Sequence, residues 1–213
     1  CIILTADRKV ASMERTVLEV LAECGAEFRV NVMSFTRFCV KNMGERVKRC
    51  LTPEGSVMLL ADVIEKCNDK FVYYRRVRPD SLANEVYAAL TALRNSGVST
   101  DNLREKAEKL PIALRNKSLD LSLIYEGYLE ALSEKREDST TRLAAFAEML
   151  NENPGKNASI NFFVVGMDDF NKPQIDVLRA LDNGVKSLTV GFVVGISQNV
   201  IPDLAGSFAP GFT

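Results

Sequence analysis

Apolar residues change their spacing in blocks along this 213-residue chain, and each block predicts a different kind of element. Cys1-Ile2-Ile3-Leu4-Thr5 is an apolar, β-branched run that reads as a buried strand. From Met13 to Cys24, apolar residues at Val17, Val20, Leu21 and Cys24 recur at helical spacing, and Gly25 closes the segment. Phe28 to Met33 alternates like a strand, and Ser34 can cap a helix beginning Phe35-Thr36-Arg37-Phe38. This β-α-β-α order predicts a parallel sheet, because parallel neighbours need crossover helices between them.

Between Thr52 and Asn151 the spacing is helical throughout, with no convincing strand. Pro53 and Glu54 open one helix through Val57, Leu60 and Ile64, and Pro79 to Ser81 opens another through Val86, Leu90 and Leu93. Ser118 to Lys135 carries Leu121, Tyr125, Tyr128 and Leu132, and Thr140 to Leu150 makes a fourth helix. Each has one apolar stripe and must pack on a neighbour. Strand character returns at Ile160 to Val165, followed by a proline-opened helix with Ile175, Leu178 and Leu181 on one face and an apolar run from Ser187 to Val194. The pattern predicts an α/β domain with flanking helices, built from 1–51 and 156–195 and interrupted by an all-helical insertion over 52–155. An irregular tail, 196–213, follows; Asn153-Pro154-Gly155-Lys156 is the clearest hinge between insertion and sheet.

Composition narrows the function classes. Charge is nearly balanced, with 27 basic and 28 acidic residues, so nucleic-acid contact would be local rather than driven by a global field. The absence of histidine excludes imidazole-dependent serine and cysteine mechanisms. Five cysteines (Cys1, Cys24, Cys39, Cys50, Cys67) include no C-x-x-C pair, and they predict reduced thiols rather than a zinc site. No apolar run approaches the length of a membrane span and no signal segment opens the chain, so no membrane partner and a cytoplasmic location are expected. The chain begins in mid-core without a methionine, as an excised piece of a longer protein would.

Three segments carry candidate chemistry. Phe162 to Gln174 runs strand, acidic loop, helix, which is where nucleotide-hydrolysing α/β proteins end the strand that bears their magnesium-orienting carboxylate. Asp168 and Asp169 could hold a metal or orient water there, or could simply form a helix cap and a solvated turn. No phosphate loop accompanies them: Gly155-Lys156-Asn157 lacks the upstream glycine and the hydroxyl, and reads as a turn. Tyr73-Tyr74-Arg75-Arg76-Val77-Arg78 mixes aromatics and arginines as single-strand binding surfaces do, and Arg46, Lys48 and Arg49 form a second basic cluster; each also reads as a solvated face. Tyr125 and Tyr128 lie on a helical stripe and read as core, and the Asn157-Ala158-Ser159 sequon carries no meaning in a cytosolic chain.

In order and spacing these segments resemble the N-terminal helicase-like region of the AddB (RexB) family, the second subunit of a bacterial helicase-nuclease that processes double-strand DNA breaks. The family's P-x-Q and later M-E are represented by Ala6-Asp7-Arg8 and Met13-Glu14, with Ala6 and Arg8 departing from the pattern. Its S-F-S-R-L segment is matched by Ser34-Phe35-Thr36-Arg37-Phe38. Its L-x-x-K-L-x-D-L-x-x-I-Y-x-x-Y helix is matched by Leu114 to Tyr128, with Asp138 and Leu143 beyond. Its V-D-G-F-x-x-F-T-P-Q segment corresponds to Val165 to Gln174, and with Pro173 and Gln174 aligned, Gly166 stands where an active helicase has its catalytic aspartate.

The resemblance implies an inactivated superfamily 1 helicase fold, P-loop NTPase-like, that binds DNA and the AddA subunit and takes part in recognising the Chi hotspot. Gly166, Asp168, Asp169 and Gln174 would be its degenerate acidic motif, and Arg37, Arg75, Arg76 and Arg78 its DNA contacts. No catalytic residue, metal or cofactor is expected in this piece. ATP and magnesium are left to the parent protein, and the family's iron-sulfur cysteines to its distant C-terminal part. Two other readings stay open. One is an active nucleotidase whose phosphate loop lies upstream of Cys1, and the other a helical interaction module unrelated to DNA.

Overall fold

The computed structural model describes residues 1–24, 29–132 and 136–192, so Gly25, Phe28, Lys135, Val194 and the 196–213 tail lie outside the described residues. β1 (Ile2–Leu4) leads through a 3-10 turn at Asp7–Lys9 into α1 (Val10–Cys24), which starts ahead of the Met13 that its apolar spacing suggests. β2 (Asn31–Met33) is followed by α2 (Phe35–Met43), whose cap is Ser34, with its hydroxyl accepting the Arg37 N–H. β3 (Arg49–Cys50) is a two-residue strand too short for any periodicity to show.

Helices then dominate. Thr52 caps α3 (Pro53–Cys67), and Pro79 opens α4 (Pro79–Asn95), each proline occupying a first-turn position whose N–H would have no helical partner. α5 (Thr100–Ala107) escapes the pattern because Ala107 is its buried residue. α6 (Ile112–Ala131) begins well ahead of the expected Ser118, since Ile112 and Leu114 in its first turn are exposed and give no stripe to read. β4 (Arg136–Glu137) falls within the stretch expected to hold no strand, and pairs with β3 in parallel. α7 (Ser139–Glu152), β5 (Asn161–Met167), α8 (Lys172–Asp182) and β6 (Ser187–Phe192) complete the order.

The main sheet is parallel, in the order β2-β1-β5-β6, with Leu4 beside Met33 on one side and Val164 on the other. On one face Leu4, Phe162 and Val164 pack against α2, α7 and α8; Phe38 sits edge-to-face with both Phe146 and Phe162 at 5.3 Å. A second core joins α3, α4 and α6 around Leu60, Ile64, Leu90, Ile124 and Tyr128. α7, read above as the last helix of the 52–155 stretch, buries Leu143, Phe146 and Leu150 in the sheet's core and not in that second one. The β3-β4 ladder stands where the chain leaves the sheet for these helices and where it returns, and Glu137 O accepts the Leu51 N–H there at 2.8 Å.

Candidate functional site

β1 passes through α1 to β2 on one side, while β5 passes through α8 to β6 on the other, so the chain turns away in both directions from the β1-β5 boundary. The crevice beyond the carboxyl ends of such diverging strands is where open parallel sheets place ligands. Here it is bridged by side chains of the chain itself. Arg8 bonds Asp168, and Lys9 donates to the Gly166 carbonyl at 2.8 Å and to Asp168 at 3.1 Å. Lys9, by its hydrogen bond and charge, with Arg8 behind it, holds the Asp168 carboxyl below the usual carboxylate range.

Gly166 shapes this crevice through its backbone. The β5-β6 register slips between Val164 and Met167, and in that bulge Gly166 takes φ +69°, a left-handed conformation that glycine adopts without steric cost. A Cβ at this position would stand 3.1 Å from Thr5 Oγ1 and 3.3 Å from the Lys9 stem. Thr5 Oγ1 is buried without a hydrogen-bond partner, so the glycine keeps the space beside it clear of a side chain. Of the other motif residues, Asp169 is exposed, and Gln174 is engaged in a reciprocal capping box with Asn171. The cap of α8 is therefore Asn171, and neither aspartate serves as one.

Two buried carboxylates organise the helices. Asp120 on α6, 4% exposed, accepts the backbone N–H groups of Val72, Tyr73 and Tyr74 at 2.7–3.1 Å and pins the loop between α3 and α4. Asp138 caps α7 through the Thr141 N–H at 2.8 Å, pairs with Arg94 of α4, and accepts the Tyr128 hydroxyl of α6 at 2.9 Å. Burial pushes the Asp138 carboxyl up, but the bonds and charge of Arg94, with the Thr141 donors, outweigh it and leave it below the usual range. Beside this network Arg142 pairs with buried Glu137 at 2.6 Å and donates to Lys48 O, tying α7 to the β3-β4 ladder. Burial in the same region pushes the Cys39 thiol up to about 12, leaving it unreactive.

Sequence comparison places this geometry. The sequence model of the family described as ADDB, N-terminal, matches residues 1–208. The chain belongs to the AddB N-terminal family. It is 24% identical over 190 residues to an ATP-dependent helicase/deoxyribonuclease subunit of Lactobacillus delbrueckii subsp. bulgaricus, covering 84% of the chain and 16% of that protein. A protein of the same name from Leuconostoc mesenteroides is 26% identical over 170 residues, 75% of the chain and 14% of its own length. Another, from Thermoanaerobacter sp. strain X514, is 24% identical over 205 residues, 94% of the chain and 18% of its own length. The chain thus spans less than a fifth of these relatives.

Within this AddB N-terminal region the motif-bearing residues divide by location. Asp120, Tyr128 and Asp138 are internal; the first holds a loop and the other two join α6 to α7. Arg94 and Lys9 carry no motif of their own, and sequence reasoning passes over both because each finds its carboxylate far along the chain. Arg37 is exposed on α2 and lines, with Glu14, Val17 and Lys41, a cleft of about 370 Å³ between α1 and α2. Arg75, Arg76 and Arg78 are exposed on the α3-α4 loop, away from the α2 position of Arg37 in the chain's order of elements. Among the described residues no three His, Cys, Asp or Glu side chains converge as a metal site, and Cys1, Cys39, Cys50 and Cys67 are free thiols, a donor set that does not fit an iron-sulfur cluster. The crevice does not fit magnesium nucleotide either: Asp168 is engaged by two cations and glycine occupies position 166. No helix among the described residues is long and apolar enough to cross a membrane.

Proposed function

We propose that this chain is the helicase-like N-terminal part of an AddB subunit, acting as a non-catalytic scaffold that binds DNA and a partner AddA subunit in a helicase-nuclease for double-strand break repair and recombination. On this reading residues 1–51 and 156–195 form a superfamily 1, P-loop NTPase-like domain, and α3 to α6 are an insertion in it. The place of action is the cytoplasm, with the chromosome. Nuclease chemistry and the iron-sulfur cysteines belong to other parts of the subunit, and Chi recognition is a shared task of the helicase-like fold.

The observation that carries this reading is the crevice at the β1-β5 boundary. A glycine in a left-handed bulge stands at the acidic position, and the neighbouring Asp168 is neutralised by Arg8 and Lys9 rather than left open for a cation. An engine needs a carboxylate there to hold magnesium and orient water; a scaffold does not.

The test is to purify the polypeptide that carries this chain from its source cells and identify what accompanies it by mass spectrometry, then assay DNA-dependent ATP hydrolysis. A helicase-type partner that co-purifies, with ATPase unchanged by Asp168→Ala plus Asp169→Ala, is the expected result. Loss of ATPase in that double variant would replace the scaffold with an active nucleotidase. A polypeptide that brings down no such partner and binds no DNA would remove the AddB reading in favour of a helical interaction module.

A further inference from the structure

The loop Phe71 to Arg78 is a rigidly held, exposed segment whose charge has no internal use. Its two ends are anchored: Phe71 and Tyr74 are buried in the helical core, and Pro79 starts α4 immediately after it. Its backbone is held by Asp120 through three N–H groups, and a turn closes between Tyr74 O and the Val77 N–H at 2.9 Å. Arg75 and Arg76 are the two central residues of that turn. Arg75, Arg76 and Arg78 are all exposed, and among the described residues none of them pairs with a carboxylate. Elsewhere on the surface cations do find acids, as Lys66 does with Asp62 and Arg104 with Glu126.

An aromatic ring is presented beside these charges. Tyr73 is 49% exposed, and its orientation is set by Tyr74, whose ring stands perpendicular to it at 5.0 Å. Lys117 of α6 holds its ammonium 5.8 Å over the Tyr73 ring, bringing a fourth cation to the same surface. Backbone and ring are thus ordered before anything binds, which lowers the entropic cost of association.

Resting on the DNA-scaffold reading above, we propose that Tyr73, Arg75, Arg76, Arg78 and Lys117 form a contact surface for single-stranded DNA, with Asp120 as the positioning residue that sets the loop. A half-exposed ring beside three or four unpaired cations matches what single strands require, since bases stack on the aromatic and phosphates meet the cations. A duplex hides its base faces and would use only the charges. An acidic protein segment would likewise use the arginines and leave Tyr73 idle.

The experiment measures anisotropy of a labelled oligothymidylate of about twenty nucleotides, titrated with the full polypeptide that carries this chain over a range of salt. Arg75→Gln, Arg76→Gln and Arg78→Gln combined should weaken binding and flatten the salt dependence by about two in log-log slope, at roughly 0.7 per lost phosphate contact. The triple Lys variant at the same positions should keep the slope, separating charge from any structural effect. Tyr73→Ala should cost about 5- to 150-fold in affinity with the slope unchanged, and Tyr73→Phe should retain affinity. An iododeoxyuridine-substituted strand should photocrosslink to Tyr73, located by peptide mass spectrometry. If the parent binds the strand while the Gln triple and Tyr73→Ala bind equally well, and crosslinks fall elsewhere, the loop is not the contact although the DNA reading stands. If the parent binds no DNA at any salt, the DNA reading itself fails and this proposal with it. Binding of an acidic peptide, lost in the Gln triple but not in Tyr73→Ala, with no effect of either on DNA, would reassign the loop to a protein partner.

Discussion

At the end of the sheet, Arg8 and Lys9 meet Asp168 with side chains of Arg8 and Asp168 that are 72% and 55% exposed. At the junction of the helices, Arg94 meets Asp138 with both side chains at 9%. The chemistry is the same, a guanidinium on a carboxylate, and the consequences are opposite. Water and salt screen the first pair, so it closes a crevice without holding the fold together. The second has lost its hydration and has replaced it with the Tyr128 hydroxyl and the Thr141 N–H and hydroxyl, so every member is committed. Environment, rather than the presence of a pair, separates a group that can be traded from one that cannot.

The largest effect should therefore come from the buried side of the comparison. Asp138→Ala leaves the Arg94 guanidinium buried without its anion and uncaps α7, and should cost about 3–5 kcal/mol, read by urea unfolding followed by circular dichroism. Tyr128→Phe removes one donor from the same carboxylate and should cost nearer 1 kcal/mol. The pH dependence follows with its sign. A carboxyl held below its unfolded value contributes stability that is fully present above the ordinary range near pH 4, and that contribution is lost as pH falls through the folded value. The midpoint of urea unfolding should fall on acidification below about pH 5, and Asp138→Asn should remove part of that slope.

Asp120 sharpens the comparison, because it is buried and, among the described residues, its partners are backbone N–H groups rather than a cation. Asp120→Ala strands these N–H groups at roughly 1–3 kcal/mol for each one that water does not reach, and should also raise hydrogen exchange at Val72, Tyr73 and Tyr74 before that of α3. At the crevice, Gly166→Ala combines a left-handed residue with a Cβ at 3.1 Å from Thr5 Oγ1. About 1–2 kcal/mol of destabilisation is expected from the backbone alone, measurable by thermal melting.

How much of this was legible beforehand depends on how local each feature is. The parallel sheet with flanking helices can be read because β-branched runs mark Ile2–Leu4 and Asn161–Met167, and because Ser34, Thr52, Pro53 and Pro79 announce helix starts in their own neighbourhood. α5 and the first turns of α6 are missed since their apolar residues are few or face outward, and β3 and β4 since two residues have no period. At the candidate site, Gly166 and Asp168 stand out as a motif, but the Lys9 bond to Gly166 O spans 157 residues and exists only because β1 and β5 are neighbours in the sheet. The Arg94-Asp138 pair spans 44 residues and is likewise a product of packing between α4 and α7. Pairing partners at such separations are set by topology, which a single sequence reports only through resemblance.

The smallest stability effect should be that of Asp168→Asn, and its smallness is informative. With an exposed carboxylate and two mobile cations, the melting temperature should stay unchanged, because the pair exchanges contacts with water at little net gain. The ionisation of Asp168 should nonetheless betray the contact. Lys9, first by its hydrogen bond and then by its charge, holds that carboxyl below the ordinary range. Carboxyl carbon chemical shifts followed against pH at low salt should show a low titration midpoint for Asp168, one that Lys9→Gln moves upward. At about 1 M salt, where the screening length is about 3 Å, the parent's midpoint should move the same way. An unmoved midpoint in Lys9→Gln would mean that the lysine does not reach Asp168 in solution, leaving the crevice open at the position where parallel sheets bind their ligands.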